Sequence, residues 1–236
     1  MPRPRLCIIP SHDARCRGPL LLTGTGRAFC AGLDLTEVTR APEPGKEGIA
    51  NGTTQPTNLD LRNAPPTVLF NIGKPTICAL NGSAAGYGMD TALGCDIRIM
   101  AEGAKMAAAF TKRGIVPESG GTWLLPRLIG WSKAAELIFT GRTLSAAESL
   151  EWGLVSRVVP AGDLAGAARA IAQEIASNAP LAVQAAKRMM RMGLNETFDD
   201  HVHHVFLQLL PLLRSEDARE GMRAFMEKRP AVFAGS

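Results

Sequence analysis

Twice in this chain a short apolar run stops at a turn crowded with glycine and alanine. Leu20-Leu21-Leu22 passes into Thr23-Gly24-Thr25-Gly26 and on through Arg27-Ala28-Phe29-Cys30-Ala31-Gly32-Leu33-Asp34-Leu35. Thr76 to Leu80 passes into Asn81-Gly82-Ser83-Ala84-Ala85-Gly86-Tyr87-Gly88-Met89-Asp90. An apolar run of strand length closed by glycine reads as a buried strand and a tight turn. Residues this small let one backbone approach another and let N–H groups point at a common centre. Taken singly, each turn is more simply explained by packing.

A chain of 236 residues is long enough for one well-packed domain or a domain with a helical appendage, and its 46% hydrophobic content argues against disorder. The formal charge of +4 is scattered and aromatic residues make up only 5%, which disfavours nucleic acid as a partner. A modest positive field suits a phosphorylated small molecule equally well. Cys7, Cys16, Cys30, Cys78 and Cys95 form no CxxC pair, so reduced thiols are the simpler reading and no metal is expected. No apolar run reaches membrane-spanning length, and the expected location is the cytoplasm.

Residues 1–18 carry little periodic signal beyond Leu6-Cys7-Ile8-Ile9. The Gly-, Pro-, Asn- and Thr-rich stretch between Ala41 and Pro66 reads as a mobile surface segment bordering a ligand site. Pro75 and Asn81-Gly82 bracket a strand over Thr76 to Leu80, residues 84–95 read as a helix in close backbone contact, and Ile97 to Ala101 reads as a third strand. The second half is helical. Ser145 and Glu148 form a capping-box pattern closed by Gly153, and Leu164, Ala167, Ala168, Ile171 and Ile175 share one helical face. Pro180, Gly193, Ser215 and Pro230 punctuate the remaining helices, with Pro211 ending or kinking the one that starts near Thr197.

Taken together and in this order, the two turns resemble the F-x-A-G-x-D and N-G-x-x-x-G-x-G-x-x-[DE] signatures of the crotonase (enoyl-CoA hydratase/isomerase) superfamily. The likeness continues through Cys95-Asp96-Ile97-Arg98, Gly114-Ile115-Val116-Pro117-Glu118-Ser119-Gly120-Gly121-Thr122, Phe139-Thr140-Gly141-Arg142, Gly153-Leu154-Val155 and Ser215-Glu216-Asp217-Ala218-Arg219-Glu220-Gly221. It ends at Phe225-Met226-Glu227-Lys228-Arg229. The resemblance implies an α/β fold, a spiral of ββα units followed by helices that trimerise. It divides the chain into an atypical start (1–18), an acyl-CoA-binding core (19–180) and a helical trimerisation region (181–236). The family's opening strands and N-x-x-x-x-N-A-L segment are not recognisable here.

The same resemblance places two oxyanion-hole N–H donors on Leu33 and Tyr87. Enolate chemistry needs such converging donors because the thioester oxygen gains negative charge. Around them it implies coenzyme A contacts at Ala31, Gly32, Asp34, Leu35 and Gly86, with Phe225 and Lys228 reaching the coenzyme across a subunit boundary. Arg27, Lys112 and Arg113 either meet its phosphates or form a solvated face. Coenzyme A is then part of the substrate and no separate cofactor is expected. The implied assembly is a homotrimer or dimer of trimers.

The acid/base residues decide the reaction. Family hydratases carry one glutamate where Asp90 stands and a second where Phe110 stands. Two carboxylates serve hydration because water must be deprotonated while a proton is delivered. Glu118 instead matches the single glutamate of members that shift double bonds, so an enoyl-CoA isomerase with Glu118 as base is the leading expectation. A hydratase using Asp90 with Glu118 is the first alternative; Asp90 as a structural aspartate under the turn is weighed evenly against it. A non-catalytic acyl-CoA-binding or subunit-interaction protein is the second. His201, His203 and His204 read as exposed or interface residues, Met189, Met190 and Met192 as packing, and Ser83 and Ser119 lack a triad partner.

Overall fold

In the computed structural model, residues 18–32 and 63–236 are described. The chain advances by repeating one unit, a strand, a short corner, a second strand and a helix. The first unit is β1 (Leu20–Thr23), β2 (Ala28–Cys30) and α1 (Pro65–Asn71); the second is β3 (Thr76–Leu80), β4 (Ser83–Ala85) and α2 (Tyr87–Leu93). The third is β5 (Ile97–Ala101), β6 (Lys105–Ala107), a 3₁₀ turn over Thr111–Arg113, and α3 (Gly121–Ile129). Then follow α4 (Trp131–Thr140), β7 (Thr143–Ser145), α5 (Ala146–Glu151), β8 (Arg157–Val159), α6 (Leu164–Ala176), α7 (Pro180–Met192), α8 (Phe198–Leu212) and α9 (Glu216–Met226).

Successive strands alternate between two sheets. One runs β1-β3-β5-β8, parallel throughout; the other runs β2-β4-β6-β7, with β6 and β7 antiparallel. This is the ββα spiral expected, closed by helices. Alternation along each strand of the first sheet sends side chains to two cores. Leu22, Cys78, Leu80 and Met100 face a core shared with Phe29, Met89, Met106 and Leu125, while Leu21, Ile77, Ala79 and Ile99 meet Leu164 and Ala168 of α6. Burying each large aliphatic side chain contributes about 1.5–3 kcal/mol.

Polar pins act both within an element and across the chain. Ser145 accepts from the Glu148 amide while Glu148 accepts from Ser145, the capping box in full. Asp96 takes the Thr76 amide at 2.8 Å and the ammonium of Lys187 at 2.8 Å, tying the spiral to α7. Arg98, buried in the core, donates to the carbonyls of Leu154 and Cys95 at 2.6 Å each.

Two local expectations change. The helix read over 84–95 begins only at Tyr87, because Ser83–Ala85 is taken up as β4 between β2 and β6. Pro65 and Pro66, read as part of a surface segment, open α1, where proline's fixed φ suits the first turn; positions 41–62 of that segment lie outside the described residues. Pro211 does fall one residue before the end of α8, and Thr197 and Ser215 cap α8 and α9.

Candidate active site

The two glycine turns are held against each other by backbone contact. Gly32 has φ +95°, and a β-carbon there would lie 2.9 Å from the Ala85 carbonyl oxygen and 3.8 Å from the Tyr87 nitrogen. A side chain on Gly88 would run into the Cys30 carbonyl. Asn81 staples the same pair: its Oδ1 accepts from the Gly24 amide at 2.9 Å and its Nδ2 donates to the Gly26 carbonyl at 3.0 Å. Gly86, at φ +53°, turns the chain so that Tyr87 is the first residue of α2. An N–H in the first turn of a helix has no acceptor within that helix.

Beside these turns lies a small cavity of about 70 Å³. Ala31 and Gly32 line it from the first turn and Gly86 and Tyr87 from the second, while Phe110, Arg113 and Glu118 come from the β6–α3 connection. Phe110 is 3% exposed, and its ring sits 3.8 Å from where a β-carbon on Gly86 would be. Phe110, where the resemblance puts the hydratases' second glutamate, is therefore a hydrocarbon wall of the cavity.

Around the cavity four side-chain oxygens are buried with no hydrogen-bond partner among the described residues. Both oxygens of Asp90, the Oε2 of Glu118 and the hydroxyl of Ser119 have no partner. Unsatisfied buried polar atoms are rare, and their grouping here calls for a functional explanation. Asp90 is fully buried on α2, with Gly121 packed so closely on its Oδ1 that a side chain there would collide. Burial, and then the charge of Glu118, push the Asp90 carboxyl up to about 7. The Gly121 and Ser119 amides oppose this in part, though neither reaches an Asp90 oxygen with hydrogen-bonding geometry. The Tyr87 phenol is pushed up by burial and then by Glu118, Cys30 and Asp90, so it stays protonated.

Of the residues expected from sequence, Ala31, Gly32, Gly86, Tyr87 and Glu118 meet at this cavity, with Asp90 behind it. Leu33, Asp34 and Leu35 lie outside the described residues. Arg27 is exposed on the β1–β2 corner and does not line the cavity. Phe225, 82% exposed, and Lys228, at φ +54° after α9, do not reach it within their own chain. Arg113, given no preference between phosphate contact and solvated face, lines it. From sequence, the Tyr87 side chain and Ile115 are not singled out as lining groups, and the Ser119 hydroxyl is taken only as lacking a triad partner; Ile115 and Ser119 stand close to Glu118 in sequence, whereas Tyr87 is brought there by the fold. His201 and His204 were not read as a pair, yet each brings Nδ1 within 3.0 Å of Glu196. Among the described residues no group of three His, Cys, Asp or Glu is placed to hold a metal, and no helix is long and apolar enough to cross a membrane.

A ββα spiral whose glycine turns border a carboxylate-bearing cavity defines a crotonase-type protein. The chain belongs to the enoyl-CoA hydratase/isomerase family, whose model matches residues 12–236, and is an enzyme of the crotonase superfamily. It is 40% identical over 229 residues to YngF of Bacillus subtilis (strain 168), assigned by its name to the enoyl-CoA hydratases/isomerases, covering 95% of this chain and 82% of that one. It is 38% identical over 218 residues to 1,2-epoxyphenylacetyl-CoA isomerase of Escherichia coli (strain K12), covering 92% and 80%. The crystal structure of an enoyl-CoA hydratase from Bacillus anthracis superposes with a TM-score of 0.82 at 36% identity, covering 95% and 84%.

Proposed function

We propose that the chain binds an acyl-CoA thioester with its carbonyl at the Gly32–Tyr87 junction and shifts the double bond of an enoyl group, with Glu118 carrying the proton. The supporting observation is the pairing of Glu118 and Phe110 in one cavity: one carboxylate is present and the second position is apolar. In this reading the Tyr87 N–H, with that of Leu33, stabilises the oxyanion. Glu118 takes a proton from C2 of a 3-enoyl thioester, the electron pair moves onto the thioester oxygen, and the enolate collapses as the same proton is returned to C4. The double bond then lies between C2 and C3, and the base is regenerated.

Asp90 favours the hydratase alternative in one respect: it is a second carboxyl in electrostatic contact with Glu118. Against it, Asp90 does not line the cavity, and its Oδ1 is packed on Gly121. Turnover of 3-enoyl-CoA and 2-enoyl-CoA by the wild type and Glu118→Gln separates the two. The expected result is interconversion without hydration, lost by about 10³-fold in the variant; production of a 3-hydroxyacyl-CoA, or an unimpaired variant, overturns it.

The reading includes coenzyme A as part of the substrate with no further cofactor, a cytoplasmic location, and the division at 18 and 180. It also includes a homotrimer or dimer of trimers. Supporting assembly, α8 leaves Phe206 and Leu207 more than half exposed and α9 ends on exposed Phe225 and Met226. Sedimentation of the purified chain tests it.

A further inference from the structure

A second cavity, larger than the first at about 520 Å³, lies between α1, α3 and α7 and shares no lining residue with it. Phe70, Leu93, Trp123, Val183 and Leu194 give it an apolar wall. Its charges do not balance. Among the described residues, Arg98, Arg127, Lys187 and Arg191 line it together with a single carboxylate, Asp96. Lys187 and Arg191 both pair with that carboxylate, at 2.8 and 2.5 Å, while Arg127 and Arg98 have no ion pair among the described residues. Two guanidiniums are stacked on rings, Arg191 at 3.5 Å over Phe70 and Arg127 at 3.8 Å over Trp123, with the rings themselves edge to face at 5.5 Å. Stacking orients a guanidinium and leaves its in-plane N–H groups free to donate. One such group is orphaned: Arg191 Nη1 is buried with no acceptor among the described residues.

An apolar chamber of this size with a few convergent polar groups has the make-up of a ligand site. The missing component is an anion, since a buried donor without a partner costs about 1–3 kcal/mol. The excess charge is felt inside the cluster: burial, and also the Arg191 charge, hold the Lys187 ammonium below its usual range.

We propose that this cavity binds an anionic amphiphile, a single carboxylate or phosphate on an apolar chain, with its head accepting from Arg191 and Arg127 and its tail along Phe70, Trp123 and Leu194. The site is separate from the acyl-CoA pocket. It fits a fatty carboxylate or an alkyl phosphate, and a neutral chain of the same length leaves the guanidiniums unpaired.

The test is calorimetric titration of the full chain, in its native assembly, with dodecanoate, dodecyl phosphate and dodecanol below their aggregation limits. Saturable binding of one anion per chain is expected, with dodecanol weaker by about tenfold or more. The tighter of dodecanoate and dodecyl phosphate identifies the head group. Ala186→Trp places a large ring in the cavity from an exposed position on α7, and is expected to weaken binding by about tenfold or more while enoyl-CoA turnover is unchanged. Leu194→Trp serves the same purpose if Ala186→Trp lowers the melting temperature. Arg127→Ala is expected to weaken binding about threefold. Absence of saturable binding, including through closure of the cavity by a second copy, overturns the proposal. So does equal binding of dodecanol, or wild-type affinity in both filling variants.

Discussion

Asp90→Asn keeps the outline of a buried side chain and removes its ionisation, so it isolates what that ionisation costs. The folded protein holds the Asp90 proton up to about pH 7, against 3.8 for an unperturbed aspartate. Between those values the folded state binds a proton that the unfolded chain has released, so stability falls as pH rises through the window and levels off above it. The full shift corresponds to about 4 kcal/mol. The part falling between pH 5 and pH 7.5 is about 3 kcal/mol. Urea unfolding of wild type and variant at matched protein concentration and ionic strength, every half pH unit, reads this directly. Ionisable groups remote from Asp90 are common to both proteins and cancel in the difference. The expected curve is a stability advantage of Asp90→Asn that grows up to pH 7 and is flat beyond. A difference that is constant across pH 5–8 would refute the burial argument.

Gly32→Ala forces a β-carbon to within 2.9 Å of the Ala85 carbonyl at φ +95°; turnover is expected to fall by about 10²-fold or more, with little change in far-UV circular dichroism. Lys187→Met leaves Arg191 as the one cation paired with the half-buried Asp96, and is expected to cost about 3 kcal/mol in urea unfolding. Ser145→Ala removes the oxygen that caps α5 and is expected to cost about 1 kcal/mol by the same measurement, without effect on turnover.

What was legible from sequence was whatever local chemistry determines. The bounds of β3 and β5 follow from Pro75, Asn81-Gly82 and the apolar runs between, and the Ser145–Glu148 box needs only three residues' separation. β4 was not legible, since Ser83-Ala84-Ala85 has no strand preference of its own. It becomes a strand because β2 and β6 flank it. The three-residue strands β6, β7 and β8 are set by the spiral in the same way. At the site, Glu118 and Phe110 were placed by resemblance to a family. Asp90's raised carboxyl was not foreseeable, because it depends on how Gly121 and Glu118 close over α2.

The corners between the two strands of each unit, which belong to different sheets, are very short: Thr23 to Ala28, Leu80 to Ser83 and Ala101 to Lys105. Each corner serves both layers, and the middle one is closed in: a side chain on Gly82 would run into the Arg27 carbonyl, so an inserted residue there shifts one layer's register against the other. New substrate preferences in a molecule built this way must therefore arise from side-chain replacement along the walls, or from lengthening the links that lead into the helices. The hinges of the spiral have to stay as they are.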